Sequence, residues 1–129
     1  MDSIQIVPVD ERDSSWEDGA PRFRVYLHAG GPTKTGDATA TYDVTGADVL
    51  QVIDWAQRRV AGTDGSYAVA LVRDDVERGR GLVWLVGIDG NTNPWDAREE
   101  EQLARMLARR AQPVRVGPGD RMPSGVEPR

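Results

Sequence analysis

The sequence has no cysteine, and Lys34 and His28 are its only lysine and histidine. Without cysteine there are no disulfides, thiolate zinc sites or cysteine nucleophiles. The longest apolar run, "LVWLVGI", is far shorter than the roughly 20 residues that a membrane-spanning helix needs. The acidic start "MDSIQIVPVDERDSS" lacks the basic and apolar regions of a signal peptide. These features predict a cytoplasmic protein with no membrane partner.

The charge balance is acidic, with 21 Asp and Glu against 16 Lys and Arg and a net charge of −5. Such a field repels a phosphate backbone, so we expect no nucleic-acid partner. Nearly all the basic residues are arginine, and alanine, glycine and valine are abundant. This composition is typical of a protein from a GC-rich bacterial genome. The 129 residues are enough for one globular domain with a core of its own.

Hydrophobic periodicity predicts the element order β-β-β-α-β-β-α. The predicted strands are "SIQIVPV", "PRFRVYLHAGG", "ATATYDV", "SYAVALVRD" and "GLVWLVGID", and "PVRV" is compatible with a short final strand. The predicted helices lie in "TGADVLQVIDWAQRRVAG" and "NPWDAREEEQLARMLARRA". This order predicts the α+β class: a two-layer sandwich, mainly an antiparallel sheet with two helices packed on one face. From the third strand onward, it also fits a split β-α-β arrangement.

Helix-capping residues and the composition of the C-terminal residues predict where the helices and the domain begin and end. Thr45 is the predicted N-cap of the first helix and Gly62 its stop, whereas Asn93 and Pro94 begin the second helix. Residues 1–116 are predicted to form a single α+β domain. The Pro- and Gly-rich residues 117–129 are predicted to be a flexible tail.

The predicted hairpin "SYAVALV"–"GLVWLVGI" is apolar on both faces of both strands. Strands of this kind are normally covered on both sides, and two helices can cover only one side of a small sheet. Three covers for the other side remain open: the N-terminal strand and loop with Trp16, a second copy of the chain, or a different protein.

Five residues are candidate ligand or partner contacts: Arg22, Arg24, Tyr26, His28 and Trp55. The first four share one side of an alternating strand, and such a row could bind an anion or an acidic partner segment. On a neighbouring strand, Asp43 could orient His28 as a general base. Trp55 lies outside the apolar stripe of the first helix, so it is either covered by a loop or offered to a partner.

Two loops resemble known ligand motifs without satisfying them. In "DGNTNPWDAREE", the spacing of acids and amides follows a calcium loop, but proline stands where the sharp turn needs glycine. A turn followed by a capped helix is the better interpretation. In "GGPTKTG", threonine precedes the lysine and a strand follows, unlike a phosphate-binding loop. No G-x-S-x-G element is present.

The sequence therefore predicts a small, non-catalytic protein without a metal or cofactor, although an enzyme stays open. Its expected role is protein–protein binding, as an inhibitor, an immunity-type factor or a regulatory subunit, with a protein partner or a homodimer. The alternative is a ligand-binding or enzymatic split-βαβ-like domain that uses the polar row on its second strand.

Overall fold

Four antiparallel strands form one sheet in a computed structural model, which describes residues 3–30, 39–89 and 95–129. The strands are β1 (Phe23–His28), β2 (Thr39–Val44), β3 (Ser66–Asp75) and β4 (Gly79–Val86). The helices are α1 (Val49–Val60) and α2 (Ala97–Ala108). The sheet order is β2-β1-β3-β4, so β4 is an outer strand.

The α+β class is confirmed, and from β1 onward the strands and helices follow the predicted order. Strands β2 and β3 are both antiparallel to β1 and lie on either side of it. They therefore run in the same direction, and α1 connects them across β1. This connection is the split β-α-β arrangement that the sequence predicts.

The main core lies between the sheet and α1. On β1, Phe23 and Val25 point toward α1, as their alternation predicts, and Val69 on β3 is their neighbour. The helix contributes a stripe at helical spacing: Val52, Ile53, Ala56 and Val60. Burying each of the valine and isoleucine side chains contributes about 1.5–3 kcal/mol. This contact holds α1 on the sheet.

Helix α1 begins later than predicted. Its N-cap is Asp48, which accepts from Gln51 N at 2.9 Å while Gln51 Oε1 accepts from Asp48 N at 3.0 Å. A start at Thr45 is wrong because Gly46 has φ +78°, a left-handed backbone that an α-helix cannot contain. The predicted stop is confirmed: Gly62 has φ +77° just after the helix.

Helix α2 begins at Ala97, and Asp96 is its N-cap, accepting from Glu99 N at 2.9 Å. The predicted cap and first residue, Asn93 and Pro94, lie outside the described residues. A helix starting there would include Trp95, but the Glu99 carboxylate accepts from Trp95 N at 3.0 Å in the turn before the helix. Asp96 therefore caps the helix in place of Asn93.

The predicted first strand is absent: Ser3–Val9 belong to no sheet, and Ile4 and Ile6 are 93% and 94% exposed. The alternation of the segment is suited to a strand, but alternation cannot supply a partner strand. The N-terminal segment also leaves the hairpin uncovered, since Trp16 is itself largely exposed beside Arg73. The first of the three covers is therefore wrong for the isolated chain.

The C-terminal residues lie on α1 instead of extending away from it. Met122 is 7% exposed and belongs to the core cluster. The buried Asp54 carboxylate accepts from Met122 N at 2.9 Å and pairs with Arg58, whose Nη2 also donates to Met122 O. Residues 117–129, predicted as a flexible tail, thus contain an anchor that their proline and glycine content concealed.

The segment "PVRV" is not a strand, yet Val114 makes strand-like hydrogen bonds. Gln57 Nε2 donates to Val114 O at 2.7 Å, and Gln57 Oε1 accepts from Val114 N at 3.1 Å. One side-chain amide therefore satisfies both backbone groups of Val114. The predicted final strand is therefore absent, and Gln57 on α1 takes the place of a partner strand for Val114.

The sheet face opposite α1 is partly covered by the chain itself. Ala68 and Ala70 on β3 are fully buried, and they face Tyr26 and Trp84 across the register. The rings of Tyr26 and Trp84 are 5.1 Å apart, so they meet above the small alanine side chains. The one buried residue of α2, Met106, packs near Ala68.

Candidate functional site

The polar row on β1 begins with a three-residue charge cluster. Arg24 Nε donates to Asp43 Oδ1 at 2.6 Å, and Arg22 Nε donates to Asp43 Oδ2 at 2.7 Å. Arg24 and Asp43 are directly opposite each other in the β1–β2 register, so the sheet itself sets this contact. The cluster combines two positive charges with one negative charge.

This cluster changes the ionisation of its members. The hydrogen bond from Arg24 is the main reason why the pKa of Asp43 falls from 3.8 to about 2; burial opposes this change, and the hydrogen bond from Arg22 adds to it. The same hydrogen bond raises the pKa of Arg24. At neutral pH the Asp43 carboxylate is therefore ionised and paired with both arginines. An anion approaching the two arginines would have to compete with it.

Two aromatic rings, Tyr26 and His28, continue the row, and the ring of Trp84 on β4 lies beside them. Tyr26 is stacked on His28, with ring centroids 6.2 Å apart and planes 12° from parallel, and contacts Trp84 on its other side. Within the sheet, Arg22 and Arg24 therefore contact Asp43, and Tyr26 contacts Trp84. Sequence alternation placed Arg22, Arg24, Tyr26 and His28 on one side, but Trp84 came from an apolar strand and was not among the candidates.

His28 is not an exposed base: it is 2% exposed, and its Nδ1 is 3.4 Å from Thr39 Oγ1. Asp43 lies opposite Arg24, four residues along β1 from His28, a separation of about 13 Å at 3.3 Å per residue. The structure therefore does not bring together the His28 and Asp43 of a general-base pair. Ser66 and Thr39 are the register neighbours of His28.

Trp55 lies in the core and is 9% exposed. Its ring contacts Tyr42 edge-on at 5.4 Å, and the Arg59 guanidinium lies 5.2 Å from the ring centroid. Strand β2 therefore covers the side of Trp55 that lies outside the helix stripe. With most of its surface already buried, Trp55 is not an anchor for a partner in this conformation.

Strand β4 carries three partly exposed apolar residues within the sheet. Leu82, Val83 and Leu85 are 36%, 42% and 45% exposed. They lie on an outer strand of eight residues, which pairs with β3 on one side only. Outer strands present unpaired N–H and C=O groups, and proteins usually protect them with charge, proline or short length. After Arg80, β4 has none of these protections.

A cavity of about 570 Å³ lies at the end of β1 and next to the end of α1. Its lining combines polar and charged groups with apolar ones, including His28, Thr39, Arg59, Thr63 and Asp64. The other members of the polar row, from Arg22 to Tyr26, do not line it. A cavity of this size can take a small molecule.

A smaller cavity of about 90 Å³ lies between α1 and α2. Tyr67 Oη and Arg109 Nη1, from two of its lining residues, are buried without a hydrogen-bond partner in the described part of the chain. Burial raises the pKa of Tyr67, and the nearby Arg109 charge opposes that rise. Both helices end here, and their terminal carbonyls disfavour an anion. The site fits water rather than a charged ligand.

The described residues give no support to a metal site. Among residues 3–30, 39–89 and 95–129, no group of three His, Cys, Asp or Glu is placed to hold a metal ion. The loop "GGPTKTG" after its first glycine, Gly30, and residues 90–94 of the calcium-like spacing lie outside the described residues. Within that range too, no helix is long and apolar enough to cross a membrane.

The geometry therefore offers three features for function: the Arg22–Asp43–Arg24 cluster with its aromatic neighbours, the cavity beside His28, and the outer edge of β4. Of these, the edge of β4 is the one that exposes apolar side chains next to unpaired backbone groups. Comparison with protein-family models, with curated proteins and with solved structures found no match.

Proposed function

We propose that the protein acts by binding another polypeptide through the outer edge of β4, not by catalysing a reaction. The observation that carries this proposal is the exposure of Leu82, Val83 and Leu85 on an eight-residue outer strand. An inhibitor, an immunity-type factor or a regulatory subunit, as expected from the sequence, would each use such a surface. A cytoplasmic location remains part of the proposal.

The edge supplies two kinds of interaction to an incoming strand. Its backbone groups give hydrogen bonds along the strand, and its side chains form alternating pockets that select the partner. The aromatic pair Tyr26–Trp84 extends the apolar surface from β4 toward β1. The Arg22–Asp43–Arg24 cluster borders this face with one excess positive charge, which suits an acidic partner segment.

The test uses Val83→Asp together with Leu85→Asp, with Leu50→Asp as a matched control. Leu50 is 40% exposed on the first turn of α1, where an acidic residue is favourable. Self-association is measured by analytical ultracentrifugation, and contact with other proteins by cross-linking mass spectrometry in a host extract. We expect the β4 variant to lose the associations that the wild type and the control retain.

A wild-type chain that stays monomeric and has no cross-linked contact through β4 would contradict the proposal. The same conclusion follows if the β4 variant keeps every association of the wild type. Circular dichroism of the variant distinguishes lost binding from lost folding, since both substituted residues are already partly exposed.

A second candidate function is ligand binding in the cavity beside His28. The supporting observation is the mixed lining of a 570 Å³ space by His28, Arg59, Thr63 and Asp64. Inorganic phosphate is a simple probe, because Arg59 and the threonine hydroxyls can donate to it. A melting temperature that rises with phosphate in the wild type but not in Arg59→Gln would favour this candidate.

A further inference from the structure

The segment Ser3–Val9, here called the N-terminal arm, is a highly exposed apolar segment outside the sheet. Ile4, Ile6, Val7 and Val9 are each more than two-thirds exposed. Isolated exposed apolar residues are ordinary, but four within seven residues form an apolar strip. Such a strip indicates a partner that covers it.

The pattern of the arm matches that of β4. In an extended chain, Ile4 and Ile6 point to one face while Val7 and Val9 point to the other, so both faces are apolar. Strand β4 is likewise apolar on both faces, with Leu82 and Trp84 alternating with Val83. The arm has seven residues and β4 has eight, so the two can pair along almost their whole length.

In its own chain the arm belongs to no sheet, and a local turn follows it. Asp10 accepts from Arg12 N at 2.9 Å and caps the 3-10 turn Glu11–Asp13, and the Arg12 side chain also pairs with Asp10. Farther along, the Arg73 guanidinium lies 5.9 Å from the Trp16 ring centroid, which places the chain beside the β3–β4 hairpin. With this turn formed, Ile4 and Ile6 remain exposed.

We propose that the N-terminal arm of one copy adds as a strand to β4 of a second copy, and that the second copy returns its arm in the same way. This inference rests on the proposed function, because it names the partner of the same β4 edge. A reciprocal exchange gives a closed twofold dimer in which each arm and each edge is used once. The main-chain hydrogen bonds are those of strand addition.

Pro8 gives the exchange an end point. Proline has no N–H to donate, so within a sheet it occurs on edge strands. An arm added to β4 becomes the new outer strand, and Pro8 on it hinders the addition of a further strand. The assembly therefore stops at two copies, whereas the uncovered β4 edge alone would permit continued growth.

Because the chain has no cysteine, pairs of introduced cysteines test the contact directly. One protein carries Ile4→Cys or Ile6→Cys, another carries Val83→Cys or Leu85→Cys, and the full-length proteins are mixed under mild oxidation. We expect a disulfide between two different chains for at least one pair, at least tenfold faster than between the same arm variant and Leu50→Cys. Rates equal to this control would overturn the proposal.

Ile6→Cys and Val83→Cys combined in one chain test whether the arm instead pairs with β4 of its own chain. We expect a covalent dimer on non-reducing electrophoresis; a disulfide that closes within a monomer would overturn the exchange. The variant Ile4→Asp with Ile6→Asp gives a second measurement, in which the dimer dissociation constant should rise at least tenfold, about 1.4 kcal/mol. Since both side chains are exposed, folding should be unaffected.

The two proposals fail in different ways. If the arm variant leaves the dimer intact while Val83→Asp with Leu85→Asp disrupts it, the arm is not the partner strand but β4 is still the binding edge. If neither variant changes any association, both proposals are wrong. If association is lost with the arm variant and with the β4 variant but not with Leu50→Asp, both are supported.

Discussion

The Asp43 carboxylate lies between two guanidinium groups, and its ionisation contributes to the stability of the fold. We expect Asp43→Asn to lower the free energy of unfolding by about 1 kcal/mol at pH 7, because the substitution leaves Arg22 and Arg24 facing each other without a negative charge. This figure allows for partial exposure of the cluster. Urea unfolding of the wild type and the variant measures the difference.

The same difference should depend on pH in a defined range. Because the folded state lowers the pKa of Asp43 to about 2 from 3.8, the contribution is fully present above pH 3.8 and decreases as the pH falls toward 2. The two proteins should therefore be similar in stability near pH 2. Asp13→Asn, at an exposed carboxylate in the 3-10 turn, is the control. A difference unchanged between pH 5 and pH 2 would contradict this account.

For single residues, the sequence predicts the side of a strand on which a side chain lies better than it predicts the residue that the side chain contacts. Alternation on β1 placed Arg24 and Tyr26 on one side, which the register confirms. It could not indicate that Asp43 neutralises the arginines, because strand pairing decides that contact. Trp55 was ambiguous because helical periodicity measures position around α1 but not whether Tyr42 covers that position.

At the scale of elements, Gly87 determines how closely α2 can approach the sheet. It has φ +75°, and a Cβ there would lie 3.0 Å from the Met106 side chain and 3.2 Å from the Ala68 Cβ. We expect Gly87→Ala to lower the free energy of unfolding by about 2 kcal/mol, from left-handed strain and overpacking. Chemical denaturation measures this loss.

Gly81→Ala on β4 is the matched control for that experiment. Gly81 has no atom within 4 Å of its would-be Cβ and no positive φ. Alanine there should leave stability unchanged or raise it by about 0.5 kcal/mol. Equal losses at Gly87 and Gly81 would show that Met106 is not packed as described.

The C-terminal segment is tested by Met122→Ala. Because Met122 is buried in the core cluster, we expect a loss of about 2–3 kcal/mol in the free energy of unfolding. Val126→Ala, at a residue that is 47% exposed in the same segment, should cost little. Equal stability of Met122→Ala and the wild type would mean that the segment is detached in solution.

Elements with strong periodicity were predictable, and those that depend on a distant partner were not. The core strands and α1 carry their own signals of alternation, stripe and stop. The N-terminal arm has the composition of a strand but no neighbour in its own chain. The C-terminal segment has the composition of a loop, yet Asp54 and Gln57 bind its backbone. Local sequence patterns do not indicate these contacts of Asp54 and Gln57.

For the whole molecule, a dimer closed by arm exchange makes thermal stability depend on protein concentration. A hundredfold increase in concentration should raise the melting temperature of the wild type by roughly 4 °C, because association favours the folded chain by mass action. The Ile4→Asp, Ile6→Asp variant should melt at the same temperature at both concentrations. Differential scanning fluorimetry over that range provides the measurement, and a concentration-independent wild type would contradict the dimer.

The position of Met122 also has a consequence for biosynthesis. A ribosome delivers this core residue after the whole sheet and both helices have been made. Until then, the nascent chain carries an open slot on α1 in which the Asp54 carboxylate lacks the Met122 amide that it binds in the finished fold. Completion of the native core is therefore delayed until synthesis has passed residue 122, and earlier folding can produce only a loosened precursor.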